Sequence, residues 1–328
     1  MQFRTEVKIT SSGRKISYRD SLFLMGSCFV ENIGRRLENL KFNVQTNPFG
    51  VLFNPESIRL ALLRMLEGRA FELSELFESE GVWNTFSLHS EFASLSSGEF
   101  LQRANDALHE GGFALRSAHR LFVTWGTAWI YRHVDGSVVA NCHKQPASLF
   151  TRERMSVEAI VESYSSLFQR LWEENEALDI VLTVSPIRHW KDGANGNQLS
   201  KSVLLLAADE LVRRYPDKVA YFPSYEIMMD DLRDYRFYAS DMLHPSEQAI
   251  QYIWERFSES YFTEDTQALM ADVERIVQAG CHRPFNPDSV PHQRFVAKTM
   301  ATIELLEKEH PFLDFYTEKR ALMQNSTD

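Results

Sequence analysis

Three cysteines in 328 residues, Cys28, Cys142 and Cys281, are odd in number and widely spaced. That excludes a disulfide framework and points to a reducing compartment, so cytoplasm is the expected location. Long apolar runs are also missing: nothing approaches the roughly 20 residues of a membrane span. The opening MQFRTEVKIT alternates apolar and polar residues, without the basic-then-apolar order of a secretory leader. Positive charge is short as well. Lys and Arg number 35 against 45 Asp and Glu, a net charge of -10. Phosphate neutralisation needs a basic face, so nucleic acid is not an expected partner. Neither is a membrane. No internal repeat or low-complexity segment is visible, and nothing in the sequence speaks to oligomeric state.

What is present is ordinary globular material, 44% apolar and 24% charged, enough for one large α/β domain or two modest ones. Short apolar runs read as buried strands: Ser21 to Met25, Leu121 to Thr124, Asp179 to Val184 and Val219 to Phe222. Helical spacing follows each. Phe29, Ile33, Leu37 and Leu40 form one stripe; Pro55 to Leu66, Ser156 to Asn175, Lys201 to Arg213 and Pro245 to Phe257 form others. Phe42 to Phe53 carries turn chemistry at Asn47-Pro48 and Gly50. A polar stretch from about residue 67 to 112, with a helix-like Ser97 to His109, reads as an excursion whose Trp83, Phe86 and Phe92 pack locally. The tail, Thr266 to Met323, is mostly helical with a break around Cys281 to Pro291. Alternating strands and helices imply a three-layer α/β/α fold around a mainly parallel sheet. The expected division is a catalytic domain over 1–262 and a helical extension over 263–328.

Ligand and catalytic sites in such sheets lie beyond the carboxyl ends of the strands. Gly26-Ser27, Gly126-Thr127, Ser185-Pro186 and Pro223-Ser224 all follow predicted strands. A serine at a helix N-terminus has a free backbone N–H and a favourable field for developing negative charge. The same serine also suits a plain helix cap. Asp241 stands three residues before His244 in a loop entering a helix, so it can fix the imidazole tautomer and stabilise its cation. Alone, that pair also suits an ordinary surface loop. Cys28 is a rival nucleophile, because thiolates form more readily at helix N-termini.

Other residues suggest weaker roles. His89, His133, His143 and His189, with Cys142, lack zinc-site spacing, and adjacent Cys142 and His143 would point opposite ways on a strand. No metal or cofactor is expected. His89, Arg188 and His189 are candidates for lining a substrate pocket, with Arg188 suited to an anionic group. The alternative is a solvated loop in which Trp190 covers the core. Arg233, Asp234 and Arg236 read as ion pairs steadying the loop before Asp241.

Gly26-Ser27 early, and Asp241-x-x-His244-Pro245 late, resemble the SGNH/GDSL hydrolases in order and context. Gly26-Ser27-Cys28-Phe29 is similar to the signature of the GSCFA family, an SGNH-like group found mainly in bacteria. So are Asn47-Pro48-Phe49-Gly50, Asn141-Cys142-His143-Lys144, the run from Phe222 to Glu226, and that from Asp234 to Tyr238. The resemblance covers roughly residues 1–262 and implies a flavodoxin-like fold. It implies Ser27 as nucleophile, His244 as general base and Asp241 as its orienting acid. It also implies oxyanion donors at the N–H groups of Ser27 and Gly50. The third SGNH block, Gly-x-Asn, is broken here, since Gly126-Thr127-Ala128 lacks the asparagine. Thr127 or Asn141 is the substitute. The expected function is a serine esterase acting on a small ester, acylated carbohydrates included. An acyltransferase and a non-catalytic binding protein are the rivals.

Overall fold

The computed structural model describes residues 4–10 and 14–324. Five parallel strands make the central sheet: β1 (Leu22–Gly26), β2 (Val44–Thr46), β3 (Arg120–Trp125), β4 (Asp179–Val184) and β5 (Val219–Phe222). Their spatial order is β5-β4-β3-β1-β2, the flavodoxin-like arrangement with its switch point between β1 and β3. The three-layer expectation therefore holds. Both sheet faces are covered, which is why β1 and β3 are buried along their whole length and read as unbroken apolar runs.

Side chains alternate across the sheet with the period of two that extended chain requires. Phe23, Met25, Leu121 and Val123 face α2 (Pro55–Glu67), α3 (Ser97–Ser117), α4 (Val157–Glu174) and α5 (Gly193–Arg214). Leu22, Leu24 and Phe122 face the other layer, α1 (Cys28–Asn39) and α6 (Glu247–Tyr261). The helices start where the sequence places caps. Asn54 accepts the Ser57 N–H at 2.8 Å with Pro55 next in line, and Ser156 and Ser246 cap α4 and α6 likewise.

Three helices complete the chain: α7 (Glu264–Cys281), α8 (Val290–Glu309) and α9 (Tyr316–Gln324). The break falls between Cys281 and Val290, as expected. Met270, Val273, Ile303 and Phe315 join the core beneath α1 and α6. Burial of side chains this size contributes about 1.5–3 kcal/mol each. Lys41, just after α1, pairs with Glu318 at 2.8 Å. The helices from Glu264 onward share a core with the rest of the chain. Its last four residues lie outside the described ones.

Three features differ from the sequence reading. The excursion is shorter than 67–112, because α3 runs on to Ser117 and packs Phe100, Ala104, Leu108 and Leu115 into the main core. A polar exterior on α3 hid that face. Helix α5 starts at Gly193, eight residues before Lys201. A three-stranded antiparallel sheet, Trp129–His133, Val138–Val139 and Phe150–Arg154, follows β3. Its outward residues are charged, so no apolar run announced it.

Candidate active site

Strand register brings the site together. Gly26 pairs with Thr124, Thr124 with Thr183, and Thr183 with Phe222. Ser27, Trp125, Val184 and Pro223 therefore leave the sheet at one level, and the loops behind them share one rim. The exit from β1 is tight. Gly26 has φ +147°, and a Cβ there would lie 2.2 Å from the Thr124 carbonyl oxygen, so only glycine fits. Its N–H donates to Asn47 Oδ1 at 2.8 Å. Asn47 is itself held by a turn that the Gly50 N–H closes onto the Asn47 carbonyl at 2.8 Å. The Asn47-Pro48-Phe49-Gly50 motif is thus a clamp on the turn that presents residues 27 and 28.

The late segment arrives on the same rim. Asp241 Oδ1 accepts the Leu243 and His244 N–H groups, both at 2.9 Å. His244 Nδ1 donates to Asp241 Oδ2 at 2.5 Å. Hydrogen bonds from the His244 and Leu243 backbone, then from the His244 ring, hold the Asp241 carboxyl at about 2. The tautomer this fixes leaves the Nε2 lone pair free. Met242, at φ +61°, makes the turn that lets the carboxylate reach back to the ring.

The group that Nε2 faces is Cys28, with Sγ at 3.9 Å. Ser27, the nucleophile expected from sequence, makes no hydrogen bond to that ring. Its hydroxyl is buried, finds no hydrogen-bond partner among the described residues, and belongs to a residue only 1% exposed. Its N–H donates to the Thr124 carbonyl at 3.2 Å, so the oxyanion role expected of it is also occupied. Ser27 is the cap position, buried against Gly126 at the bottom of the cleft; Cys28 is the first helical residue, half-buried, and both line the cleft.

Burial pushes the Cys28 thiol up, and Glu31 adds to that. The N–H groups of Cys28 and Phe29 at the helix start, and the Lys201 ammonium, act in the opposite sense. The balance favours a neutral thiol at rest, which needs a base to ionise it. His244 is positioned to be that base.

Both residues open into a cleft of about 430 Å³. Trp129, Tyr131 and Arg152 of the antiparallel sheet form one wall, and the loop from Arg188 to Asp192 forms the other. Beneath it lies Lys201, completely buried, its ammonium donating to the Gly126 and Ser185 carbonyls at 2.7 and 2.8 Å. Burial lowers Lys201 to about 7. His189 is lowered to about 4, first by burial and then by Lys201, and is a neutral part of the wall. Arg188 and His189 both line this cleft.

Four further expectations fare less well. Gly50 lies outside the cleft, packed beneath His89, with its N–H already bonded. Asn141 closes a turn by accepting the His143 N–H at 2.9 Å. His89 caps a short helical turn, accepting the Glu91 N–H, and also lies outside. Thr127 does line the cleft, but its hydroxyl bonds Ser200 and accepts from the Trp129 N–H. Of the loop residues expected to form ion pairs, Arg233 pairs with Asp230 at 2.8 Å and Arg236 stands 4.0 Å from Asp234, both pairs exposed.

Asn54 was missed. Its Oδ1 caps α2, while its amide NH2 finds no partner among the described residues in a side chain that lines the cleft. Followed by proline at a helix start, it reads in sequence as a cap and nothing more. Lys201 gave no signal either, because lysine on a helix is ordinarily exposed.

Among the described residues no three His, Cys, Asp or Glu side chains converge as a metal shell, and no helix is long and apolar enough to cross a membrane. Residues 21–257 match the family model described as GSCFA family. Residues 273–325 match the one described as GSCFA domain protein, C-terminal domain. No curated protein matches the chain.

Proposed function

Because the chain belongs to the GSCFA family, we propose that this family member transfers acyl groups from small esters through a Cys28–His244–Asp241 triad. The observation that carries the reading is the alignment of the Asp241 carboxylate, the His244 ring and the Cys28 sulfur, with bridging distances of 2.5 and 3.9 Å. Nucleophile–base contacts are commonly long before substrate binds. The likeness to SGNH hydrolases in strand order and in the late Asp-x-x-His segment supports it, with sulfur in place of the expected serine oxygen.

In this mechanism His244 Nε2 takes the Cys28 proton as sulfur bonds to the ester carbonyl carbon. The oxyanion is held by the Cys28 N–H and the Asn54 amide. It collapses, the carbon–oxygen bond to the alcohol breaks, and His244 protonates the departing alkoxide. Water or another hydroxyl, deprotonated by His244, then attacks the thioester and frees the thiol. Asp241 holds the ring throughout and stabilises its cation. Acylated carbohydrates are candidate substrates, and the acceptor decides between hydrolase and transferase. Cys28, Cys142 and Cys281 are all free thiols, which suits a reducing compartment such as the cytoplasm.

The test is rapid mixing with 4-nitrophenyl acetate, followed by peptide mapping. The expected outcome is a nitrophenolate burst, absent in Cys28→Ala, with the acetyl mass on the Cys28 peptide. Acetyl on Ser27, or fluorophosphonate labelling there, would return the role to serine; no adduct at all would favour a binding protein.

A further inference from the structure

Charge is distributed unevenly around this cleft. The chain as a whole carries net -10. Yet three cations, Arg152, Arg188 and Lys191, line the cleft against one carboxylate, Asp192. Asp192 is already paired with Arg152, whose guanidinium also lies 4.3 Å over the Trp129 ring. Lys191 bonds the Tyr131 hydroxyl at 2.7 Å. Glu31 acts on Cys28 from the first turn of α1.

Arg188 differs from its neighbours. No carboxylate pairs with it among the described residues, and its Nε is buried without a partner. Its guanidinium lies 5.9 Å from the Trp190 ring. It also stands at a junction. Arg188 and Trp190 line both the cleft holding Cys28 and a second groove of about 510 Å³, formed by Met228, Met229, Leu232 and Tyr238 and ending at Asp241. The side chain is therefore held beside the reacting groups, desolvated in part, with nothing to neutralise it.

Resting on the acyl-transfer reading above, we infer that the substrate carries an anionic group, a carboxylate or a phosphate, which Arg188 binds while Cys28 attacks the neighbouring carbonyl. A planar guanidinium with free donors matches either oxyanion. Arg152 lies over one face of Trp129 and the Lys191 ammonium lies 5.3 Å from the Tyr131 ring centre, so these two cations are engaged with the aromatic wall and Arg188 is not.

The test uses alkylation of Cys28 in the full chain, followed by peptide mapping to separate it from Cys142 and Cys281. Iodoacetate and iodoacetamide differ in charge and little in size. The ratio of their rates at Cys28 should exceed that for glutathione by about tenfold, the lower end of electrostatic concentration in a charged cleft. Arg188→Met should bring that ratio down to the glutathione value, whatever the change in the iodoacetamide rate itself, and Arg188→Lys should restore part of the excess. Succinate or inorganic phosphate should protect wild-type Cys28 and not Arg188→Met; whichever protects names the oxyanion. A wild-type ratio equal to that of glutathione, or a raised ratio that survives Arg188→Met, would overturn the inference. Turnover of 4-nitrophenyl acetate without any iodoacetate advantage would sink the anion site alone. An iodoacetate advantage without turnover of any ester would sink the acyl-transfer reading alone.

Discussion

The two ends of the central sheet treat polar groups in opposite ways. At the amino end, Arg120 is 3% exposed and bonded to Asp179 and to the Arg14 carbonyl. His119 accepts the Ser21 N–H at 3.0 Å, and Lys218 stands 3.8 Å from Asp179. None of those four side chains has a buried atom left unbonded. At the carboxyl end, Ser27 Oγ, Trp129 Nε1, Arg188 Nε, His189 Nε2 and one Asp192 oxygen are all buried without a hydrogen bond. A buried polar atom without a partner costs about 1–3 kcal/mol. The charged and imidazole side chains of the amino end escape that cost, though the Tyr261 hydroxyl near Arg120 does not; around the cleft five polar side chains bear it, as sites arranged for function often do.

The largest effect expected at the carboxyl end is from Cys28→Ala, a loss of about 10⁴- to 10⁶-fold in ester turnover. Ser27→Ala should retain most activity and hold or raise the melting temperature, since it deletes an unbonded hydroxyl. Reversal of that pair, measured by steady-state hydrolysis and calorimetry, would break the assignment of roles. Asp241→Asn should lower kcat by about 10³- to 10⁴-fold, because the amide favours the wrong tautomer. It should leave stability almost unchanged, as both residues are exposed.

The amino end should respond the other way. Arg120→Met leaves the Asp179 carboxylate without its buried partner, a loss of about 3–5 kcal/mol in urea unfolding. The kcat of the folded fraction should be unchanged. A drop in kcat with intact stability would show that the two ends are not separable. Asn54→Asp is a finer probe, keeping the capping oxygen and removing the NH2 donor. Turnover should fall by about 10²-fold with helix stability retained.

The smallest effect concerns acid. His189 sits at about 4 in the fold against an ordinary 6.5, so between those values the unfolded chain binds more protons. Its contribution is complete above pH 6.5 and is lost as pH falls to about 4. His189→Gln should flatten this slope of unfolding free energy against pH; an unchanged slope would remove His189 as its source.

Much of the architecture could be read in the residues. Strands buried on both faces must be continuous apolar runs, and Leu22–Gly26, Arg120–Trp125 and Asp179–Val184 were therefore visible. The edge strand Val44–Thr46 is short and half-buried, and the sheet from Trp129 to Arg154 is solvated on one side, so neither stood out. The triad's Asp241 and His244 were legible because both lie in one local segment. Asn141 and His89 look polar and available in sequence, yet local turns absorb them.

The sequence by itself determined the order of strands and helices, the glycine-bound turn after Leu22–Met25, and the carboxylate–imidazole pair, because each depends on neighbours a few residues apart. Only the tertiary structure decided which of two adjacent side chains meets that imidazole. In sequence Ser27 is the favoured candidate and Cys28 its rival. At the exit of a strand one is buried against Gly126 and the other lies beside the ring, and that arrangement is set by Thr124 and Asn47, residues distant in the chain.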